Sequence, residues 1–198
     1  RVLKVPVLIK GSASGVRVIV PPTVTSTHIL KKLWHRFQLW LLRVWQRIRV
    51  FANLGPSLRY SHVAPGIYLG GKVSTGTFKI FRGWGVTGIV SMRTTKPPAT
   101  PADIETLWLP TPDWTPPSLA DFKKGVQFIQ RQIDKGGAVY IHCQLGEGRG
   151  PSMAAAYLVT KGFTVEEAVT SLVKYRPMVQ PNAEKLKRLG EWQESYNS

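Results

Sequence analysis

The sequence predicts an α/β fold in which helices cover both faces of a mainly parallel central sheet, with a basic amphipathic helical extension before it. Two observations support this prediction. From residue 58 onwards, short β-rich runs alternate with segments of helical periodicity. One of these runs, residues 138–141, leads through a glycine-rich loop into a long apolar helix. Ligands of such sheets bind beyond the carboxyl ends of the strands, so we expect the functional site at that loop.

The individual elements follow in chain order. Strands are predicted at Ile67–Leu69, Val86–Met92, Ile104–Leu109 and Ala138–Ile141. Helices are predicted at residues 76–84, 118–135, 151–161, 165–175 and 183–196. A linker over residues 53–57, Asn-Leu-Gly-Pro-Ser, precedes them, because Gly and Pro interrupt helices and strands alike. The predicted domain therefore covers residues 58–198.

The chain before this domain divides into two predicted parts. Residues 1–27 form a β-rich arm without an assigned function, and residues 28–57 hold a basic amphipathic helix and the linker. Tryptophans among Lys and Arg on that helix are typical of a helix lying at a membrane surface. Its longest uncharged run, residues 37–42, is too short to span a bilayer, which takes about 20 apolar residues. The alternatives are packing on the folded domain or on a second copy, and nucleic acid binding, for which no signature is present.

Positive charge is concentrated in the first half of the chain. The chain has 27 Lys and Arg against 11 Asp and Glu, a net charge of +16, and its first acidic residue is Asp103. Basic and acidic residues balance in 103–198, so the whole net charge lies in 1–102. Such a half attracts polyanions, and the helix favours an anionic membrane surface. The single cysteine is compatible with a reducing compartment, so we expect a cytoplasmic protein, peripheral at a membrane if the helix binds lipid.

The glycine-rich loop carries the residues suited to chemistry. It reads His142-Cys143-Gln144-Leu145-Gly146-Glu147-Gly148-Arg149-Gly150-Pro151-Ser152. A loop that enters a helix in this way points backbone N–H groups and the positive end of the helix dipole at one place, which favours an anion. Cys143 opens the loop and Arg149 closes it, so a nucleophilic thiolate and a guanidinium that binds two phosphoryl oxygens can face one group. A buried structural thiol beside a solvated arginine is the alternative.

Displacing an alcohol or phenol from phosphorus also needs an acid to protonate the leaving oxygen. Asp113 is the candidate, in the proline-rich segment Leu109-Pro110-Thr111-Pro112-Asp113-Trp114-Thr115-Pro116-Pro117. Asp103 and Glu105 fall before or within the preceding strand, and Asp121 falls beyond the start of the next helix, so they suit the role less. The alternative is that Asp113 is only a turn residue.

Three separated segments together resemble the cysteine-dependent phosphatases and, within them, the dual-specificity group. The loop has the spacing His-Cys-x2-Gly-x2-Arg between a strand and a helix. Residues 63–71, Val-Ala-Pro-Gly-Ile-Tyr-Leu-Gly-Gly, are similar to the opening strand of that family. Residues 176–182, Arg-Pro-Met-Val-Gln-Pro-Asn, are similar to its closing segment. Because these segments occur in the family's order, the chain is identified as a member over residues 62–197.

The resemblance implies a two-step reaction and a role for each residue. Cys143 attacks phosphorus while Asp113 protonates the leaving oxygen, and water helped by Asp113 then hydrolyses the cysteinyl-phosphate. Arg149 clamps the phosphoryl group, His142 orients the loop, and Asn182 hydrogen-bonds its surroundings. The phosphate-binding loop consists of Gln144, Leu145, Gly146, Glu147 and Gly148. The resemblance requires no metal, and the four histidines and the absence of carboxylates with metal-ligand spacing agree; no cofactor is expected.

Two departures from the family pattern bear on the reaction and on the substrate. The family usually has Ser or Thr directly after the loop arginine, where the hydroxyl helps the thiolate to leave. Here that position is Gly150, and Ser152 is the candidate substitute. The loop also contains Glu147 and no Lys or Arg between Cys143 and Arg149, which disfavours substrates with additional phosphates.

The predicted function is therefore a metal-independent phosphomonoesterase of the dual-specificity type, with phosphoprotein as the default substrate. A membrane phospholipid such as phosphatidylglycerophosphate is the alternative substrate, because of the basic helix. A non-catalytic phosphate-binding module is the competing class, although such a module needs neither the nucleophile nor the acid.

Overall fold

The structure is a computed structural model that describes residues 60–197, with Leu41 and Val44 as isolated positions. The predicted N-terminal arm over 1–27 lies outside the described residues. The predicted basic helix and linker over 28–57 also lie outside them, apart from Leu41 and Val44, which are both helical.

Within residues 60–197 the chain alternates between strands and helices. The strands are β1 (Tyr60–Ala64), β2 (Ile67–Gly70), β3 (Val86–Ser91), β4 (Glu105–Trp108) and β5 (Ala138–His142). The helices are α1 (Thr77–Gly83), α2 (Leu119–Asp134), α3 (Arg149–Val159), α4 (Val165–Tyr175) and α5 (Ala183–Asn197). The sequence predicted each of these elements except β1.

The strands form one sheet in the order β1-β2-β5-β3-β4. Only β1 runs antiparallel to its neighbour, while β2, β5, β3 and β4 pair in parallel. The prediction of a mainly parallel sheet is therefore confirmed. Because β5 lies between β2 and β3, its carboxyl end opens at the middle of one edge of the sheet, and Cys143 follows there.

Helices cover both faces of the sheet, as the sequence predicted. Val139 and Ile141 of β5 point into the larger core, which they share with residues of α2, α3, α4 and α5. Tyr140, between them, points to the opposite face and packs with Phe78 and Phe81 of α1. This alternation follows from the two-residue side-chain period of a strand.

Side-chain caps determine where two of the helices begin. Ser118 accepts a hydrogen bond from the N–H of Asp121 at 3.0 Å and so caps α2. Thr164 and Glu167 form a capping box at the start of α4. Helix α3 begins at Arg149, two residues before the predicted start at Pro151, and every one of its residues is buried. Arg149 is therefore part of the first helical turn.

None of the helices in the described part of the chain combines the length and hydropathy that crossing a bilayer requires.

Candidate active site

The loop after β5 wraps around the sulfur of Cys143. This side chain is 3% exposed, and its Sγ accepts a hydrogen bond from the N–H of Gly146 at 3.2 Å. The loop then enters α3, whose N-terminal end carries a partial positive charge. Both features stabilise negative charge on the sulfur, which is what a nucleophilic thiolate requires.

Glycine is required at position 146 because of both its backbone and its surroundings. Its φ of +71° is in the left-handed region, and a Cβ there would lie 2.4 Å from the carbonyl oxygen of Gly70. This conformation turns the Gly146 N–H toward the sulfur.

A buried arginine holds the outer side of the same loop. Arg176, at the end of α4, is 0% exposed. Its Nε donates to the carbonyl of Gly146 and its Nη2 to the carbonyl of Leu145, both at 2.8 Å, and Nη1 donates to Ser61 Oγ at 3.3 Å. Because these carbonyls are bound outside the pocket, the loop can present its N–H groups inward as an anion-binding nest. Burial lowers the pKa of Arg176, and electrostatic interactions with Tyr140, Cys143 and Glu147 oppose that shift.

Arg149 joins the loop to the segment that carries the acid. Its side chain is 5% exposed, and its Nη1 donates to the carbonyl of Thr111 at 2.7 Å and to that of Met92 at 3.3 Å. Its Nη2 lies 2.7 Å from Oδ1 of Asp113. The guanidinium is therefore oriented by two backbone carbonyls on one side, while its other edge faces the carboxylate.

Asp113 lies in a turn at the mouth of the pocket, with a side chain that is 66% exposed. The turn is closed by Thr115, whose N–H and hydroxyl both donate to the carbonyl of Pro112, at 3.4 and 2.9 Å. Trp114 has a φ of 67° and is 80% exposed. The structure thus brings Asp113, Cys143 and Arg149, predicted from separate parts of the sequence, around one cavity.

That cavity has a volume of about 280 Å³. It is lined by Asp113, Trp114, Cys143, Gln144, Leu145, Glu147, Gly148, Arg149, Gln180, Asn182 and Lys185. Four of the five predicted phosphate-loop residues are among them; Gly146 is buried and reaches the sulfur through its N–H. A phosphoryl group bound here would contact the thiol and the guanidinium together.

His142 is buried at the end of β5, directly before Cys143. Its ring is 2% exposed, stacks on Tyr140, and bonds through Nδ1 to the carbonyl of Cys143 at 3.1 Å. Burial lowers the pKa of His142 to about 4; that backbone bond opposes the shift, and the charges of Arg93 and Arg149 add to it. The ring is therefore neutral near pH 7, and Nδ1 carries its proton because a carbonyl can only accept.

Ser152 and Asn182 are the two remaining predicted supporting residues. Ser152 is buried in α3, and its hydroxyl donates to the carbonyl of Gly148 at 2.9 Å. Asn182 precedes α5, where its Oδ1 accepts from the N–H of Lys185 at 3.1 Å and its Nδ2 donates to the carbonyl of Trp114 at 2.9 Å. Asn182 therefore contacts the acid-bearing turn and caps a helix.

Two cations of this site, Arg176 and Lys185, were not predicted from the sequence. Arg176 entered only as part of the closing segment, and Lys185 was not singled out at all. The charges within the loop alone disfavour substrates with additional phosphates, whereas Lys185 adds a cation to the lining of the pocket. Its position, three residues after a capping Asn, was the available signal. That spacing is common at helix starts and does not indicate burial.

No group of three or more His, Cys, Asp or Glu residues that could hold a metal ion occurs within the described residues. The arrangement consists of a thiol, a guanidinium and a carboxyl group. Together these groups can transfer a phosphoryl group to sulfur and then to water.

Comparison with known proteins gives one consistent result. Residues 67–195 match the family described as dual specificity phosphatase, catalytic domain. Dual specificity protein phosphatase 1 of Arabidopsis thaliana is 28% identical over 137 residues, which are 68% of this chain and 69% of that protein.

Two other proteins that this chain resembles have names or ligands that refer to lipids. Phosphatidylglycerophosphatase and protein-tyrosine phosphatase 1 of Mus musculus is 38% identical over 93 residues, which are 46% of this chain and 48% of the mouse protein. This chain thus matches about half the length of that relative. The crystal structure of PTPMT1 in complex with PI(5)P superposes with a TM-score of 0.66 at 25% identity, covering 70% of this chain and 97% of that one.

Proposed function

Because the chain belongs to the dual-specificity phosphatase family of phosphoric monoester hydrolases, we propose that it hydrolyses phosphomonoesters through a cysteinyl-phosphate intermediate. The observation that carries the proposal is the cavity in which Cys143, Arg149 and Asp113 meet. A protein that only bound phosphate would need the guanidinium but neither the sulfur nor the carboxyl group.

In the first step, the sulfur of Cys143 attacks phosphorus, and an S–P bond forms as the P–O bond to the leaving group breaks. Asp113 donates its proton to the leaving oxygen, which departs as a neutral alcohol or phenol. Arg149 and the loop N–H groups hold the phosphoryl oxygens, on which negative charge is spread. Since Nη1 of Arg149 is bound to backbone carbonyls, its Nε and Nη2 edge is the one suited to the phosphate.

In the second step, water attacks the phosphorus of the cysteinyl-phosphate. Asp113, now ionised, accepts a proton from that water, and the S–P bond breaks to release inorganic phosphate and the thiolate. Asp113 therefore returns to its protonated form, and the enzyme is ready for another substrate. No redox partner enters either step.

Hydrolysis of nitrophenyl phosphate in the presence of a chelator tests the mechanism. We expect Cys143→Ser to lose roughly a thousandfold or more in kcat, because serine is a far weaker nucleophile at neutral pH. We expect Asp113→Ala to lose about a hundredfold or more on phenyl phosphate, whose poor leaving group depends on acid assistance. Asp134→Ala, which changes an exposed carboxylate of α2, is the matched control and is expected to retain activity. Full activity of Cys143→Ser would refute the mechanism.

Phosphoprotein is the default substrate that we propose, and a phospholipid monoester is the second candidate. The second candidate is supported by the mouse relative, whose name includes phosphatidylglycerophosphatase, and by the net charge of +16. Phosphate release from phosphotyrosine and phosphothreonine peptides and from vesicles containing phosphatidylglycerophosphate would rank them. A kcat/KM for the vesicles well above that for either peptide would favour the lipid.

A further inference from the structure

Lys185 is a buried cation inside the proposed active-site cavity. It lies in the first turn of α5, is 3% exposed, and lines the pocket together with Cys143 and Arg149. Lysine is seldom this buried unless its ammonium group has partners. Its Nζ donates to the carbonyl of Trp114 at 2.8 Å and to Oδ1 of Asn182 at 3.3 Å. The ammonium therefore connects α5 to the turn that carries the acid.

The carbonyl that Lys185 binds belongs to a residue with an unfavourable backbone conformation. Among the described residues, Trp114 is the single non-glycine with a positive φ, at 67°. Residues with a Cβ disfavour this region. The indole is 80% exposed, so side-chain packing contributes little to holding the turn. Its conformation consequently depends on contacts made by the backbone.

Two donors at the start of α5 supply such contacts. Nζ of Lys185 and Nδ2 of Asn182 both donate to the Trp114 carbonyl, at 2.8 and 2.9 Å. Asn182 is itself fixed, because its Oδ1 accepts from the N–H of Lys185. Because the ammonium of Lys185 is charged and the amide of Asn182 is not, the hydrogen bond from Lys185 is the stronger of the two.

The turn whose Trp114 carbonyl binds Lys185 and Asn182 also carries the carboxyl group of Asp113, the proposed acid. Asp113 directly precedes Trp114, and its Oδ1 lies 2.7 Å from Nη2 of Arg149. The carboxylate is 66% exposed, so burial does not determine its position. If the carbonyl of Trp114 were released, the Asp113 side chain would keep only its contact with Arg149, which a bound phosphoryl group competes for.

We propose that Lys185 is a positioning residue, which acts through the Trp114 carbonyl to keep the carboxyl group of Asp113 over the phosphoryl site. The proposal rests on the proposed function, because it assigns a role within the acid-catalysed step. Lys185 contacts neither the leaving group nor the phosphorus in this role.

The charges around Lys185 are consistent with this position. Burial lowers the pKa of Lys185, and the charge of Arg149 lowers it further. Glu184, Asp113 and Cys143 raise it. The ammonium is thus close enough to the proposed nucleophile, clamp and acid to interact with each of them electrostatically.

The test uses aryl phosphates that differ in leaving group. A loss of acid positioning affects phenyl phosphate strongly and nitrophenyl phosphate weakly, because nitrophenolate leaves without a proton. We expect Lys185→Met in the full chain to lower kcat about tenfold on phenyl phosphate and less than about threefold on nitrophenyl phosphate. Lys187→Met, which removes an ammonium whose side chain is 82% exposed on the same helix, is the control and is expected to match wild type on both.

A double mutant separates positioning from direct catalysis. If Lys185 acts through Asp113, adding Lys185→Met to Asp113→Asn causes no further loss on phenyl phosphate, since there is no acid left to position. A further loss in that background, or an equal loss on both substrates, would overturn the proposal.

A second variant covers the case in which Lys185→Met does not fold. Asn182→Asp keeps the oxygen that caps α5 but loses the N–H that binds Trp114, and we expect the same dependence on leaving group with a smaller loss. If Asn182→Asp behaves as wild type on both substrates and Lys185→Gln does too, the positioning role is refuted. Activity of Cys143→Ser would instead refute the proposed function itself, so the two failures are distinguishable.

Discussion

Gly150 is the departure from the family pattern that bears on the reaction. A Cβ at position 150 would lie 3.6 Å from the backbone N of Cys143, 3.5 Å from the carbonyl carbon of His142 and 3.3 Å from Cδ1 of Leu69. The side chain of residue 150 would therefore start beside Cys143, the proposed nucleophile. The closest of the three contacts is with the end of a flexible side chain, which can move by a few tenths of an ångström.

We predict that Gly150→Ser accelerates hydrolysis of the cysteinyl-phosphate. A hydroxyl that donates to the departing sulfur stabilises a charged group, and such bonds contribute about 1.5–3 kcal/mol, so we expect roughly a tenfold faster second step. The measurement is rapid-quench kinetics, in which the burst of nitrophenol reports the first step and the steady-state rate the second. Gly150→Ala fills the same space without a hydroxyl and is the control. An equal gain from alanine would contradict this explanation.

Whether Ser152 already provides this hydroxyl stays a prediction. Its Oγ donates to the carbonyl of Gly148, so it would have to leave that carbonyl to reach the sulfur. If Ser152 provides the hydroxyl, Ser152→Ala is expected to slow hydrolysis of the cysteinyl-phosphate more than its formation. If Ser152→Ala and wild type have the same burst rate and the same steady-state rate, Ser152 does not provide the hydroxyl.

At the scale of elements, β5 determines the surroundings of the site. It pairs with β2 on one side and with β3 on the other, and all five of its residues are buried. A strand buried on both faces normally carries apolar residues. His142 is the exception, and its Nε2 is a buried nitrogen without a hydrogen-bond partner in the structure. The strand therefore carries one group that resists protonation.

We predict that His142 makes the folded protein less stable as the pH falls from 7 to 5. The pKa of His142 is lowered to about 4, while an unfolded chain has a histidine pKa of about 6.5. In this interval the unfolded state binds a proton that the folded state does not, so acid favours unfolding by about 2 kcal/mol. Urea unfolding at both pH values measures the difference.

The control for this prediction separates His142 from the other titrating groups. His142→Asn keeps a donor near the Cys143 carbonyl and removes the titration, so the loss of stability between pH 7 and 5 is expected to shrink by about 2 kcal/mol. His62→Asn, at an exposed position of β1, is expected to retain the full loss. The same pH dependence in wild type and His142→Asn would show that another group is responsible.

At the scale of the whole molecule, charge is distributed unevenly along the chain. Residues 1–102 carry the entire net charge of +16, whereas the residues of the proposed active site all come from the electrically balanced part, 103–198. Residues 1–57 carry ten Lys and Arg and no acidic residue, whereas the predicted domain, residues 58–198, has a net charge of +6. A strongly basic segment attached to this domain attracts the protein to anionic surfaces without changing its chemistry.

We predict that the full chain binds vesicles containing anionic lipid and that removal of residues 1–52 abolishes most of that binding. The attraction is electrostatic, so binding should weaken as salt is raised, because the Debye length falls to about 3 Å at 1 M. Flotation of both forms on anionic and neutral vesicles measures it. Hydrolysis of nitrophenyl phosphate by the shortened form serves as a check of its folding. Equal flotation of both forms would contradict the prediction.

Most of the fold followed from local sequence patterns, and the exceptions have physical explanations. β1 was missed because five residues directly after a predicted linker show little pattern, and its pairing depends on the turn at Pro65 and Gly66, where φ is 70°. The start of α3 was placed two residues late because Pro151 favours the first turn. In the structure Arg149 and Gly150 already belong to the helix.

The sequence by itself determined the loop from Cys143 to Arg149, its place between a strand and a helix, and the order of strands and helices apart from β1. These features depend on residues close together in the chain, where spacing and backbone preference are sufficient. Only the tertiary structure decided that Arg176 binds the loop carbonyls and that Lys185 and Asn182 hold the Trp114 carbonyl. Those contacts join segments 30 to 71 residues apart, and they exist because packing α4 and α5 beside α3 buries cations that a polar helix pattern assigns to solvent.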